Sequence, residues 1–111
     1  MNMTFLDPGQ FTARIDLEEA SPTPDGQGGA VIAWTVAASL WARIEPTSFS
    51  FTESAGQMRG QLTHRIWIRA REGVTEGMRL RKGARVFTIR AIRDPDETGR
   101  YLVCLCEEGA L

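Results

Sequence analysis

The chain has 111 residues and a mass of 12.3 kDa, a size typical of one compact domain. Its composition, with 42% hydrophobic and 24% charged residues, is that of an ordinary globular protein. No apolar segment approaches the roughly 20 residues of a membrane-spanning helix, and the N-terminus lacks a basic-then-apolar signal peptide. Two cysteines are too few for a disulfide-rich secreted scaffold. We therefore expect a single domain that works in a reducing compartment, with no membrane segment.

The formal net charge is −1, but charge is distributed unevenly along the chain. Residues 1–58 carry two basic and seven acidic side chains, whereas residues 59–111 carry eleven basic and seven acidic ones. Opposite charges on two patches of one chain favour contacts between identical copies. The fold can also bring the two halves together within one copy, and both possibilities stay open.

The N-terminal part of the chain predicts an arm, a strand and a loop. Residues 1–9 have no periodicity and end in the turn signal Asp-Pro-Gly, so we expect a flexible arm. Hydrophobic and polar residues then alternate from Phe11 to Leu17, which is the pattern of a strand with one buried face. Residues 21–29 contain two prolines and three glycines, and we expect a mobile hairpin loop there that neither helix nor sheet can run through.

The next two segments are less regular. Ala30 to Pro46 is rich in β-branched and aromatic residues and predicts two strands, or one long strand bent near residues 37–38, with Pro46 as its end. Residues 47–60 predict an excursion loop. Within this loop two phenylalanines alternate with serines as in a strand, while the segment ESAGQMR is compatible with a short helix.

The remaining residues predict further strands. Residues 60–71 alternate, with an inward series of Leu62, His64, Ile66, Ile68 and Ala70. A short strand at residues 78–81 precedes a hairpin whose strands cover residues 84–93 and 100–108 around the turn DPDETG. About six antiparallel strands without a long helix predict an all-β fold, a small β-barrel or sandwich with residues 47–60 as a long excursion loop.

Residue types that support catalysis or metal binding are scarce. His64 is the only histidine and belongs to the inward series, where we expect a partly buried core residue. Cys104 and Cys106 point to the same strand face, but a closed zinc site needs two more ligands and one histidine cannot supply them. The carboxylates cluster in turns or at strand ends, where they are solvated. We predict no catalytic residue, no metal site and no cofactor, and hence a protein that is not an enzyme.

An outward series on the strand at residues 60–71 places arginines around a tryptophan: Arg65, Trp67, Arg69 and Arg71. Such a stripe can bind single-stranded nucleic acid, with the arginines on phosphates and the aromatic ring stacked on a base. It can also be a solvated face on which the ring lies along arginine stems. Tryptophan and arginine are, however, enriched at the centres of protein interfaces. We favour the last interpretation and name these four residues as a candidate subunit interface.

The order of motifs along the chain resembles a known family. The most specific pieces are LWARIEP, then THRIWIR followed by GVTEGMRL, then VFTIRAIRDPDETGRYLVCLC. In this order and spacing they resemble the head-tail joining proteins of tailed bacteriophages, also called head-closure or stopper proteins, which have relatives in gene transfer agents. The resemblance covers about residues 10–108.

The resemblance implies a small β-barrel that assembles as a homo-oligomeric ring in the neck of a virion or gene transfer particle, built in the bacterial cytoplasm. The ring would lie below the portal or adaptor protein and above the tail terminator or tail tube protein. There it would close the exit channel of the packaged double-stranded DNA and dock the tail. The family implies neither an enzymatic activity nor a cofactor, and no membrane.

The resemblance also implies that the excursion loop at residues 47–60 reaches the channel axis. The candidate DNA-gating residues are Ser48, Ser50, Thr52, Glu53, Ser54, Gln57 and Arg59. Their hydroxyl and amide groups can meet phosphates by neutral hydrogen bonds, while repeated Glu53 carboxylates around a ring would repel DNA. A channel that later releases DNA must not grip it, because each neutralised phosphate adds salt-dependent affinity. The arm at residues 1–9 and the tail at residues 107–111 are candidates to dock on neighbouring subunits or rings.

Two alternatives to the connector function remain. One is a free-standing small barrel that binds single-stranded nucleic acid through Arg65, Trp67 and Arg69. The other is a tail-completion protein, which would belong to the tail side of the same joint.

Overall fold

The computed structural model describes residues 8–24, 26–52 and 59–109. A single 3-10 turn at Pro8–Gln10 precedes six strands. The strands are β1 (Ala13–Pro24), β2 (Ala30–Thr52), β3 (Arg59–Arg69), β4 (Arg79–Lys82), β5 (Arg85–Arg93) and β6 (Tyr101–Glu108). Over these described ranges there is no helix with the length and apolarity to cross a membrane.

The six strands form one closed antiparallel barrel in the order β1-β2-β3-β6-β5-β4. Closure depends on the short strand β4, which pairs with β5 on one side and with residues 16–18 of β1 on the other. The all-β prediction of about six antiparallel strands is therefore confirmed, and the barrel is the correct one of the two predicted architectures.

Alternate residues of each strand point into the barrel and form its core. On β3 the inward series includes Ile66 and Ile68, which are fully buried as the sequence pattern predicts. The same cluster takes Ile15, Leu17, Leu80, Phe87, Ile89, Cys104 and Cys106 from the other strands. Burial of a side chain of this kind stabilises the fold by about 1.5–3 kcal/mol, so this cluster is the main source of barrel stability.

The long strand β2 runs the length of the molecule, whose principal extents are 54 × 34 × 25 Å. Leu17 pairs with Ala38 and Glu18 with Val36, so Ala37 is an extra residue in a β-bulge. Of the two predicted alternatives, two strands or one long strand bent near residues 37–38, the structure has the single strand with an irregularity at that point. Beyond the bulge, β2 pairs only with β1 and extends past the barrel as a two-stranded ribbon, residues 19–36, which we call the β1–β2 ribbon.

The prediction that no strand runs through residues 21–29 is wrong for the first four of them. Ser21–Pro24 belong to β1, and Pro22 pairs with Ile32 while Pro24 pairs with Ala30. Proline lacks an N–H group, but a strand that has a neighbour on one side only can leave that position unbonded. Because β4 reaches no further than Glu18, the prolines lie where β1 has β2 alone beside it.

Pro46 does not end its strand as predicted. It pairs with His64, and β2 continues to Thr52 after a register shift between Pro46 and Phe49. The described part of the predicted excursion loop, residues 47–52 and 59–60, is therefore strand, while residues 53–58 lie outside the described residues. We call residues 47–60 the β2–β3 ribbon. The alternation of phenylalanine and serine favours a strand, and β2 includes these residues.

Candidate interaction surfaces

A buried carboxylate fixes the base of the β1–β2 ribbon to the barrel. Glu18 is 4% exposed although it lies on the outer face of β1. Arg79 Nε donates to Glu18 Oε1 at 2.6 Å, and Arg81 Nη1 lies 3.7 Å from Oε2. The Arg79 guanidinium also stacks on Trp34 at 4.2 Å from the ring centroid. These contacts join β1, β2 and β4 where the ribbon leaves the barrel, so they hold its direction.

The β1–β2 ribbon and its base expose large apolar side chains. The large hydrophobic residues that are exposed in the described ranges are Val31 (59%), Ile32 (51%), Val36 (55%) and Trp41 (54%), and all of them are on β2. Ala30 to Leu40 contains no charged residue, so both faces of this part of β2 are apolar or weakly polar. A strand of this composition is normally covered on both faces. Large apolar side chains exposed along one strand in this way indicate an interaction site.

An open groove lies beside this surface. It has a volume of about 640 Å³. The groove forms because Ala42 and Ile68 are the last pair of β2 with β3 at this end, and the residues of β2 before Ala42 have no β3 partner. The groove is lined by Phe11, Thr12, Arg14, Ser39, Leu40, Trp41, Arg69, Ala70 and Arg71. The edge of β2 at residues 39–41 faces this groove without a second strand. We call this region the basic groove.

Three arginines give the groove a positive charge. The Arg14 guanidinium stacks on the exposed ring of Trp41 at 5.1 Å from the centroid. Arg69 and Arg71 stand on the facing wall and are exposed. No carboxylate of the described residues lies within 4.0 Å of any of these three guanidinium groups. The groove thus combines aromatic walls with arginines that no described carboxylate neutralises, which is suited to an acidic and apolar partner.

The predicted Arg/Trp stripe divides into two environments. Trp67 points outward from the barrel but is only 7% exposed, because Phe11 and Val103 pack against it and Phe11 also contacts Tyr101. Its Nε1 donates to Glu45 Oε1 at 3.1 Å. Phe11, whose alternation predicts the inward face of a strand, is therefore buried on the opposite side of the sheet.

The arginines of the stripe remain on the surface. Arg65 Nη1 lies 3.8 Å from Glu45 Oε1, and Arg69 and Arg71 line the basic groove. The stripe as a subunit interface stays a prediction, and the side chains that remain available for it are the arginines. Trp41, which stacks on Arg14 and is half exposed, is the accessible tryptophan of this region. The sequence feature that marks Trp41 as part of an interaction surface is the run of apolar residues on both faces of β2.

The two charged halves of the sequence are partly neutralised within one copy. Glu18 pairs with Arg79 and Arg81, and Glu45 pairs with Arg65, so acidic residues of the first half bind arginines of the second. The charge that is not neutralised in this way is unevenly distributed between the ribbon and the groove. The sequence between Arg14 and Arg43, which includes the whole β1–β2 ribbon, has no basic residue, while the basic groove has three.

The opposite end of the barrel holds the only histidine. His64 faces inward and is partly buried, as predicted, with its ring edge-on to Phe87 at 5.0 Å. Burial lowers the pKa of His64, and the nearby Glu108 opposes this shift. Glu108 accepts two hydrogen bonds from Arg85, at 2.8 and 3.1 Å, which lower the pKa of its carboxyl group. This cluster closes the end of the barrel by charge-assisted hydrogen bonds.

The two cysteines are free thiols in the core. Burial raises the pKa of Cys104 to about 12 and raises that of Cys106 further still, so both remain protonated and unreactive at neutral pH. Within the part of the chain that the structure describes, no group of three histidine, cysteine or acidic residues is placed to hold a metal ion.

The candidate gating residues belong to the β2–β3 ribbon. Ser48, Ser50 and Thr52 are on β2 and Arg59 is on β3, so these four lie in paired strands. Glu53, Ser54 and Gln57 lie outside the described residues. β6 pairs with β3 only from His64 to Arg69, so the paired backbone of this ribbon continues beyond the barrel.

Comparison with known proteins identifies the class. A family profile described as phage head completion protein matches residues 6–109, which is almost the whole chain. The chain therefore belongs to the phage head completion protein family, and it is a protein of phage head-tail joining, as its motifs predict.

Individual relatives agree with this assignment. The chain is 29% identical to head completion protein gp7 of Enterobacteria phage HK97, over 95% of this chain and 98% of that protein. A chain in the virion of a native gene transfer agent particle superposes with a TM-score of 0.65 at 28% identity, covering 88% of this chain and 94% of that one. The solution structure of protein SF1141 from Shigella flexneri 2a gives a TM-score of 0.68 at 27% identity, covering 95% and 98%.

Proposed function

We propose that the protein forms a ring at the neck of a phage or gene transfer particle, below the portal or adaptor protein, where it closes the DNA exit channel and docks the tail. The observation that carries this proposal is the match of nearly the whole chain to the head completion family, together with the similarity to a chain of a gene transfer agent virion. The role is mechanical and requires no catalytic step.

The β2–β3 ribbon is the part of the subunit proposed to gate DNA. Its paired backbone continues past the end of β6, so it projects from the barrel as a channel element must. Its sequence is rich in serine and threonine, with Glu53 at its centre and Arg59 near its end. Neutral hydroxyls around a channel touch phosphates without the counterion release that gives tight binding, so DNA can be retained and later released.

A single reconstruction tests the proposal. Electron cryomicroscopy of particles that carry this chain is expected to show it as a ring between the portal and the tail, with the β2–β3 ribbons pointing to the axis. A ring on the tail side would indicate a tail-completion protein. Absence of the chain from the neck would overturn the proposal.

The structure gives less support to binding of single-stranded nucleic acid. That alternative needs the ring of Trp67 as a stacking platform, and Trp67 is covered by Phe11 and hydrogen-bonded to Glu45. Stacking on a base requires an open ring face. Binding of an oligonucleotide by the isolated chain, with affinity that falls steeply with salt, would restore it.

A further inference from the structure

We propose that the β1–β2 ribbon of one copy inserts into the basic groove of the next copy, so that this contact joins neighbouring subunits of the ring. The inference rests on the proposed function, because a ring requires two different surfaces that meet repeatedly in the same way. It assigns those surfaces, namely an apolar and acidic ribbon and an apolar and basic groove.

The ribbon has the properties of an inserted element. It exposes Val31, Ile32 and Val36 to solvent, at more than half of their surface each. Glu19 at its base is exposed and no basic residue occurs anywhere in it. An exposed apolar ribbon is an aggregation hazard for an isolated protein unless a partner covers it.

Of the two free edges of the ribbon, only the edge of β2 is suited to pairing with an added strand. Pro22 and Pro24 remove two N–H donors from β1, and prolines on an edge strand disfavour strand addition. The edge of β2 from Val31 to Val36 has no proline, glycine or charge, so it is the edge that can pair with another strand.

The groove has the complementary properties. Arg14, Arg69 and Arg71 supply positive charge without carboxylate partners among the described residues, and Trp41 supplies an apolar wall. The edge of β2 at residues 39–41 offers main-chain groups to an added strand. Complementary charge around an apolar centre orients such a contact and excludes wrong partners.

The ribbon cannot reach the groove of its own chain. Both lie along β2, and a strand rises about 3.3 Å per residue, so Ile32 and Ser39 are roughly 20 Å apart. The Glu18–Arg79–Trp34 contacts hold the base of the ribbon and prevent it from folding back. The occupant is therefore not the ribbon of the same chain, and the complementary charge and apolar surface of ribbon and groove favour the ribbon of a second copy. A contact between two different patches of identical subunits generates a closed ring when the rotation closes.

The test uses disulfide capture in the double variant Ile32→Cys/Arg71→Cys, as purified chain at high concentration and in particles. We expect covalent dimers, trimers and larger multimers on non-reducing gels. The two positions are too far apart within one chain to bridge, and the native thiols are buried and protonated. The matched control is Ile32→Cys/Arg93→Cys, since exposed Arg93 is on β5, which lies opposite β2 in the barrel order and does not line the groove. This control is expected to give no multimers.

The single variants separate two geometries. Ile32→Cys and Arg71→Cys, each alone, are expected to stay monomeric and to form a covalent dimer only when mixed. A dimer of Ile32→Cys alone would show that two ribbons meet symmetrically, and would overturn the inference.

The outcomes also separate this inference from the proposed function. Particles that hold the chain at the neck but yield no multimers from the Ile32→Cys/Arg71→Cys variant would refute the ribbon-to-groove contact and leave the connector role intact. Multimers of the purified chain, with no chain found at the neck of particles, would support the ribbon-to-groove contact and refute the connector role. An independent measurement is self-association by sedimentation, which Ile32→Asp is expected to weaken at least tenfold while Arg93→Asp, on the opposite side of the barrel, leaves it unchanged.

Discussion

Glu18 shows how a single acidic side chain can orient a projecting element. The carboxylate is almost enclosed, and it accepts a short hydrogen bond from Arg79 while Arg81 approaches from the exposed side. A buried charge of this kind is tolerated because it is paired and hydrogen-bonded. Removal of the inner arginine leaves the carboxylate without its main partner, whereas loss of the outer arginine leaves it satisfied.

Arg79→Met is therefore expected to destabilise the fold by about 2–4 kcal/mol, because it leaves a buried carboxylate with one distant partner and removes the stacking on Trp34. Arg81→Met, at a half-exposed position, should change stability by less than about 1 kcal/mol. Urea unfolding of both variants measures the difference. Equal losses would contradict the assignment of Arg79 as the main partner of Glu18.

The His64–Glu108–Arg85 cluster predicts a loss of stability in acid. The folded pKa of His64 is lowered, so the unfolded chain binds a proton more readily, and stability falls as the pH drops below the ordinary histidine value of 6.5. The lowered pKa of Glu108 gives stability above its ordinary pKa of 4.5, which is lost as the pH falls through the folded pKa. Both effects act in the same direction.

We expect His64→Gln to remove the part of this pH dependence that lies just below pH 6.5 and to leave the loss at lower pH. Thermal unfolding between pH 4 and pH 8 measures it. Cys104→Ser is not a usable control, because it buries a hydroxyl in the core. Arg93→Gln is suitable, because Arg93 is exposed at the far end of β5 from Arg85, and it should keep the native profile. An unchanged profile in His64→Gln would contradict the role of this histidine.

At the scale of strands, the sequence predicts alternation well and pairing partners poorly. The inward series of β3 is confirmed from Leu62 to Ile68, and so is the β5–β6 hairpin, because each depends on neighbours in the sequence. Ala70, predicted as the last inward residue, follows the end of β3 and lines the basic groove instead. Three features depend on distant contacts instead. β4 closes the barrel on β1, Phe11 packs on the outer face of β3, and prolines occur in β1 because that strand has one neighbour there. A local pattern does not contain this information.

The same distinction between sequence neighbours and distant contacts applies to the candidate site. The sequence indicates the Arg/Trp stripe correctly as an outward series, but burial of Trp67 follows from Phe11, which precedes β1 and packs on it together with Val103. The exposed Trp41 belongs to an apolar run that predicts a covered strand, and its exposure becomes visible only when the end of β3 is known. Alternation assigns side chains to faces, whereas exposure depends on which other segment covers the face.

Deletion of Ser50–Met58 tests the β2–β3 ribbon as a gate. We expect particles that still assemble but lose DNA, because the barrel and the basic groove are formed by other segments. Nuclease-resistant DNA per purified particle measures the loss. A matched variant with an equal number of glycine and serine residues in place of Ser50–Met58 shows whether length or composition matters. Full retention of DNA in the deletion variant would exclude this segment from gating.

The two parts of the molecular surface proposed to meet differ in charge, since the β1–β2 ribbon has no basic residue and the basic groove has three. We expect incorporation into particles to depend on the positive charge of the basic groove. Arg69→Glu reverses one of the groove charges without touching the core, so we expect stability within about 0.5 kcal/mol of the native chain and a loss of incorporation into particles. Quantitative blotting of purified particles measures incorporation. Trp67→Ala is a poor probe of assembly, since loss of this buried ring is expected to cost about 3–5 kcal/mol.

The control is Arg93→Glu, the same charge reversal on β5, which lies opposite β2 in the barrel order. It is expected to enter particles normally. If Arg69→Glu were incorporated as well as Arg93→Glu, the groove would not contribute to assembly.

The two ribbons share β2, and this sets a fixed dimension in the subunit. Between Val36, where one projection ends, and Thr47, where the other begins, the strand spans roughly 35 Å. Adding two residues to this stretch would keep every side chain on its face and lengthen the spacing by about 7 Å, while adding one would turn the apolar face outward. With the two ribbons in the roles proposed above, we expect the length of this strand to set the distance between the DNA-gating ribbon and the contact between subunits.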